Sequence, residues 1–434
     1  MKSQPSLSLP RAILINLNIM MGAGIFINTV ELSKRTGLLS GFMYPLIGLL
    51  ILPLIIAIAQ LVNLYPAGSF YVFAQQQLGS FMGFVSTWSY FIAKLASATL
   101  MIHVAMSLIM QLFPVLASIS SVFVFDAAIL ALFIGLNLLN MKTGSSIQLG
   151  FLAFKLIPLL FVIGVGIVFF VPSAVASLPI LWEGVPSSLP LVLYAAMGFE
   201  AICALSSKIE NAEVNGPKAI MYSFGIMMIL VFLFQFLFYT FLGDVLAQQT
   251  SFLGAFPALL QKLFPGQPFT YALQLVFHLA IAFSALGGCY GILYSNNWNL
   301  HILAQHQKIK GWHWLIRLNK EAIPYLCLAA EAFLCLVYLY VSRGNQLMLQ
   351  QLAALGTAVT YTISVISLYF LYAKTKAPLF KKIITICALA SCGLLIAACV
   401  RNFIISGIIG LLIFCVFLIL GLLLYNPRES KAEK

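Results

Sequence analysis

Apolar residues along the chain come in stretches of about the twenty needed to cross the hydrocarbon core of a bilayer. Short segments where Lys, Arg, Asn and Pro gather separate them. Twelve such stretches predict membrane-spanning helices near 9–34, 39–63, 81–113, 122–140, 145–171, 186–209, 218–243, 268–304, 322–341, 350–373, 381–400 and 404–425. Between the second and third, residues 72–78 form a short amphipathic stretch of the kind that lies in the membrane interface. Two spans are interrupted. In the first, Gly22-Ala23-Gly24-Ile25-Phe26 sets two glycines one residue apart, each costing a helix interior about 1 kcal/mol. A gap there frees backbone N–H groups at membrane depth, which is tolerated only where the chain is buried in protein or lines a polar cavity. In the sixth, Ala195-Ala196-Met197-Gly198-Phe199 is a second weak point, followed at once by Glu200. Being five spans apart, the two broken helices run in opposite directions, as a pair of inverted five-helix units requires, and paired interruptions of this kind point to a transport site.

The expected fold is therefore an all-α polytopic membrane protein of about 12 transmembrane helices. It divides into a first inverted repeat at 1–173 (spans 1–5), a second at 174–375 (spans 6–10), and a last pair of helices with a cytoplasmic tail at 376–434.

Composition agrees. Hydrophobic residues make up 62% of the chain and charged ones 8%, against roughly 45–50% and 25% in an average soluble domain. A net charge of +12 in a soluble chain would suggest nucleic acid, but its placement reads as topology instead. With both termini cytoplasmic, sixteen Lys and Arg fall in tails and loops on the inside and five on the outside, leaving Lys94 and Lys155 within spans. The positive-inside bias fixes that orientation and an even number of spans, in a plasma membrane or the inner membrane of a bacterium. The first stretch lacks a small-residue cleavage site and is expected to be a retained span. The eight cysteines lie in apolar runs, none at metal-ligand spacing with His, so they are expected to be small lipid-facing or core residues. No metal, cofactor, catalytic residue or nucleic-acid partner is expected, and a monomer and a homodimer both fit.

A half-helix starting near Gly24 offers unpaired N–H groups and a positive dipole end to a carboxylate, and carbonyls freed between Ala195 and Gly198 can accept from an ammonium. Gly22 and Gly24 would equally permit close helix crossing. Glu200, an acid at membrane depth, is a candidate for proton coupling or gating, or a hydrogen-bonded structural glutamate. Lys155 sits too deep in span 5 to reach an interface by snorkelling. Lys94 lies midway along span 3 beside Ser97 and Ala98. His103 and His278 have no partner at ligand spacing and read as hydrogen-bonded core residues, and Glu331 in span 9 as a packing or interface residue.

Four segments together resemble the amino acid, polyamine and organocation (APC) superfamily of permeases, with its LeuT-type fold. Gly22-Ala23-Gly24-Ile25-Phe26 is similar to the family's helix 1 signature. Pro66-Ala67-Gly68-Ser69-Phe70-Tyr71, continuing through Gly79, Gly83-Phe84 and Trp88, is similar to its loop into helix 3, and Phe154-Lys155-Leu156-Ile157-Pro158 to its helix 5. Gly198-Phe199-Glu200-Ala201, with Asn211 and Asn215-Gly216-Pro217-Lys218-Ala219-Ile220, is similar to helix 6 and the loop after it. Ser69, Ser207-Lys208 and Asn211-Ala212 depart from the family pattern. The resemblance implies a substrate site at Gly22, Ala23, Gly24, Ile25, Ala195, Met197, Gly198 and Phe199, with Lys94 and Ala98 at its side-chain end. It also implies that the Lys155 ammonium fills the place where sodium-coupled relatives hold sodium, against a lysine that only ties helices together through carbonyls. The expected activity is sodium-independent secondary transport of an amino acid or related amine, proton-coupled or exchanging, by alternating access. The alternatives are an amino acid or polyamine exporter, an intramembrane enzyme acting on lipid or peptide, and a channel. The sequence has no nucleotide-binding Gly-x-x-x-x-Gly-Lys-Ser/Thr loop, no convergent catalytic cluster and no repeated filter.

Overall fold

The first apolar stretch folds as two helices. In the computed structural model, which describes residues 7–66 and 68–427, α1 (Leu9–Met20) and α2 (Gly24–Thr36) meet at 51°. Pro10 sits in the first turn of α1, where its missing N–H is no loss. The helix ends where Met21 leaves helical geometry (φ −81°, ψ 69°) and the Gly22 N–H turns back to the Met20 carbonyl at 2.9 Å.

Then come α3 (Leu39–Leu64), α4 (Phe70–Leu112), α5 (Val122–Asn137), α6 (Met141–Val168), α7 (Val185–Ala196), α8 (Ala212–Leu242), α9 (Ala255–Leu263), α10 (Phe269–Gln305), α11 (Tyr325–Ser342), α12 (Gln346–Lys374), α13 (Leu379–Ser406) and α14 (Ile409–Leu424). Among the described residues, nine helices are long and apolar enough to cross a membrane, ten with α1 and α2 taken as one span. The other two predicted spans, α5 and α14, are apolar helices of 16 residues, about 24 Å long at 1.5 Å per residue. Gly79 (φ 85°, ψ 168°) breaks α4, so residues 70–78 form the short helix expected before span 3. Lys2, Ala67, Arg428, Lys431, Lys434 and the expected tail lie outside the described residues.

The sixth span is broken as well. α7 stops at Met197, which is extended, and Gly198 adopts φ 110°, a region that L side chains avoid. The chain resumes as tight turns and a single helical turn between Phe199 and Lys208. Both broken spans lie inside the bundle. α1 packs on α8, α6 and α10, α2 on α7, α3 on α8, and α4 on α10 and α12. α13 and α14 dock outside: Ser391 Oγ donates to the Leu50 carbonyl at 2.6 Å, and the Trp88 indole donates to the Phe417 carbonyl at 2.9 Å. Outward side chains such as Leu49, Val168 and Ile404 are 69–79% exposed, the apolar surface a bilayer covers. The 244–267 connection, expected as a loop, folds into two short helices, Asp244–Ala247 and α9. The face of α9 that buries Phe256 and Leu259 fixes it there.

Candidate functional site

Ending α1 early frees carbonyls, and a buried lysine takes them. Lys155 from α6 is fully buried and its Nζ donates to the Asn18 and Met21 carbonyls, both at 2.7 Å. Ser284 Oγ of α10 also donates to the Met21 carbonyl, at 3.2 Å. An intramolecular hydrogen bond is worth about 0.5–1.5 kcal/mol, so the two together favour one geometry of the break. Asn16 ties the two breaks together: its Nδ2 lies 2.9 Å from the Phe199 carbonyl and 2.6 Å from Ser223 Oγ.

Across the break α2 begins at Gly24. The Phe26 and Ile27 N–H groups bond the Ala23 carbonyl, and those of Gly24 and Ile25 precede the helix ladder. An ideal Cβ at Gly24 would approach only the Ala195 Cβ, at 4.0 Å. The missing side chain there is open space, not a packing requirement.

That space is a cavity of about 50 Å³ whose walls include Gly22, Gly24, Ile25, Ala195, Met197 and Gly198. Lys94 also lines it, and Glu200 lies behind: Lys94 Nζ and Glu200 Oε1 form an ion pair at 2.5 Å. Tyr90 Oη donates to Glu200 Oε1 at 3.2 Å, and the Gly198 N–H donates to Oε2 at 2.9 Å. One carboxylate therefore fixes the span 6 break, through its own backbone, against span 3. Lys94 faces the cavity, but with its charge engaged. Ala98 is buried on the same helix away from the cavity, and Phe199 is buried with its ring stacked on Tyr361 at 5.5 Å. Ala23 lines a second cavity of about 100 Å³, which shares Gly24, Met101 and Tyr194 with the first.

From residue 7 to residue 432 the sequence matches the family model described as amino acid permease. The chain belongs to the amino acid permease family. It is also similar to an uncharacterized amino acid permease, YtnA, of Bacillus subtilis (strain 168), 22% identical over 223 residues, 48% of this chain and 47% of that protein. The match thus spans about half the length of that relative.

In this permease the segments flanking the two breaks are tied together on the face that carries both ends of the described chain. Leu7 pairs with the segment after the second break, its N–H donating to the Lys208 carbonyl (2.7 Å) and its carbonyl accepting from the Glu210 N–H (3.0 Å). Ser206 Oγ donates to the Gly68 carbonyl at 3.0 Å, and the Lys208 ammonium sits 4.3 Å from the Trp298 ring centre. The departures from the family pattern take part here. Ser69 caps α4, accepting from the Tyr71 N–H at 3.3 Å, and Asn211 takes the left-handed conformation that starts α8. Tyr90, Asn16 and Ser284 were not singled out in the sequence. Tyr90 had a usable signal, one helical turn before Lys94 on the same face. The two histidines are hydrogen-bonded: His278 lies 3.0 Å from the Leu253 carbonyl, and His103 pairs with Asp126 at 2.8 Å.

Proposed function

We propose that the chain is a secondary transporter for an amino acid or related amine, sodium-independent, driven by a proton gradient or by exchange, and working by alternating access. The observation that carries this reading is the pair of broken spans around one cavity, with Lys155 on the carbonyls freed by the first break. The N–H groups at the start of α2 suit a substrate carboxylate, and freed carbonyls near Ala195 and Met197 suit its ammonium. Specificity then falls to Lys94, Ser97, Met101 and Tyr194. Lys155 supplies a fixed positive charge where coupling to sodium would need a mobile one. Lys94–Glu200 acts as a gate, since moving the second break requires separating or carrying the ion pair.

The 1–173 and 174–375 repeats are part of the proposal. They are supported by the equivalence of the two breaks and by the packing of span 2 on span 7 and span 3 on span 8. We place both termini in the cytoplasm, so the contacts of Leu7 close the inner side. About 50 Å³ is room for a few waters; substrate entry requires α2 and α7 to move apart. Enzyme and channel readings lack support from the site, a small, mostly apolar cavity where the two breaks meet.

A screen of thermal unfolding against the twenty amino acids, their decarboxylation products and polyamines tests this. Saturating ligand at a hundred times Kd stabilises the folded state by about 2.7 kcal/mol, a shift of a few degrees. Gly24→Ile fills the cavity and should keep the unliganded midpoint while abolishing that shift. A shift that survives Gly24→Ile would place binding elsewhere, and none with any compound would remove the proposal.

A further inference from the structure

Glu200 is fully engaged by Lys94, Tyr90 and the Gly198 N–H, which suits a fixed anion better than a group that exchanges protons. A second buried acid has no such company. Glu331 on α11 is 0% exposed, and the Asn296 amide of α10 stands beside it without reaching good hydrogen-bond geometry to either carboxyl oxygen. Its surroundings are Cys289 and the Asn296 amide from α10, and Cys327 and Cys335 from its own helix. α5 supplies Asp126, which acts on the same Cys289. α4 supplies Thr99, beside Cys335, and among the described residues no lysine, arginine or histidine pairs with Glu331. A carboxylate so placed is an interior charge with no counter-ion, which its apolar surroundings disfavour.

On the face away from the chain ends, α4, α5 and α11 enclose an open cavity of about 520 Å³. Its polar wall is an acid–imidazole pair, His103 Nδ1 to Asp126 Oδ2 at 2.8 Å, with Asp126 buried and the His103 ring 19% exposed. Asp126 Oδ1 is buried without a partner. Arg343 and Tyr340 line the same cavity, and Gly344 packs against His103 Nε2 so closely that a Cβ there would collide with the ring. The α11 residues on this wall begin at Leu339, eight positions after Glu331, or about 12 Å along the axis. Glu331, Cys335, Tyr338 and Ser342 share one buried face between the two. Beyond Glu331, toward the chain ends, Asn299 Nδ2 donates to Asn296 Oδ1 at 3.1 Å.

We propose that Glu331 carries the proton that drives this transporter and that His103–Asp126 is the mouth through which it is loaded, along a route separate from the Lys94–Glu200 site. The proposal rests on the transport reading above. One proton enters from the cavity onto the His103 imidazole, forming one N–H bond, and that bond breaks as the proton is relayed along the Ser342, Tyr338 and Cys335 face to the Glu331 carboxylate, forming one O–H bond. That bond breaks to release the proton toward the opposite face, past Asn296 and Asn299. One proton enters and one leaves, and every side chain ends as it began. The apolar surroundings of Glu331 make its charged state short-lived, which links release and reloading to a change of conformation.

The test uses full-length protein in proteoliposomes, with the amino acid that most raises its unfolding midpoint as the labelled probe. In Glu331→Gln, accumulation driven by an imposed pH gradient should fall about twentyfold, while counterflow exchange stays within about twofold of wild type. Gradient-driven accumulation that survives in Glu331→Gln, or exchange lost in the same proportion, would overturn the proposal. So would a wild-type protein that exchanges but does not respond to the gradient, an outcome that leaves the transport reading standing. Wild-type protein that moves the probe in no mode removes the transport reading itself. Should Glu331→Gln not fold, Asp126→Asn carries the test: accumulation lowered about fivefold with exchange retained supports the route, and unchanged accumulation overturns it.

Discussion

Glu200→Gln is expected to give the most damaged folded variant of the cavity. Removing the negative charge leaves the Lys94 ammonium buried at 2.5 Å from a neutral amide, and breaking one side of a buried pair costs about 3–5 kcal/mol. The same carboxylate accepts from the Gly198 N–H, so the span 6 break also loses its tether. A geometry held less tightly by about 3 kcal/mol corresponds to about a hundredfold in occupancy of the competent state. Uptake should fall by about that factor, and the thermal midpoint by several degrees. Two buried charges removed together are far better tolerated than one. Lys94→Met combined with Glu200→Gln should therefore recover most of the lost midpoint, but not the transport. A double variant no more stable than Glu200→Gln alone would mean that the ion pair does not hold the two spans together.

Lys155→Ala should be nearly as severe, for a different reason. It leaves the Asn18 and Met21 carbonyls without the ammonium that each meets at 2.7 Å, in a place no water reaches easily, and unsatisfied buried carbonyls cost about 1–3 kcal/mol each. Transport should drop to background, with an unfolding midpoint clearly below wild type. Lys155→Arg should not restore it: a planar guanidinium is wider than the compact ammonium and cannot converge on both carbonyls in the same way. Full transport by Lys155→Ala would show that the charge at the first break is dispensable.

The breaks themselves were legible because they are local. Two glycines within the first apolar run, and a glycine followed by an acid within the sixth, break helical propensity where they stand. The structure interrupts the spans at Met21–Ala23 and Met197–Gly198. The short helix before span 3 was legible for the same reason, with Gly79 as its end. Pairings between distant segments were not. Lys94 and Glu200 were each visible as intramembrane charges, but the rotation of one helix against another decides whether they meet, and a helical period fixes only the face within one helix. His103 seemed to stand alone because its partner, Asp126, lies in the first turns of a run whose apolar character dominates the reading. Glu331 looked unremarkable in span 9 because the absence of partners is a property of packing. The loop between spans 7 and 8 escaped because α9 is only 9 residues long, too short for hydrophobic periodicity to register.

The central claim, transport of an amino acid through the paired breaks without sodium, is tested most directly in proteoliposomes loaded with the unlabelled probe. Labelled amino acid is added outside in choline buffer and, in parallel, in sodium buffer of the same ionic strength. Equal uptake in the two buffers, absent from liposomes carrying Gly24→Ile, is the predicted result. Uptake that appears only with sodium would contradict the role given to Lys155 and with it the account of the site.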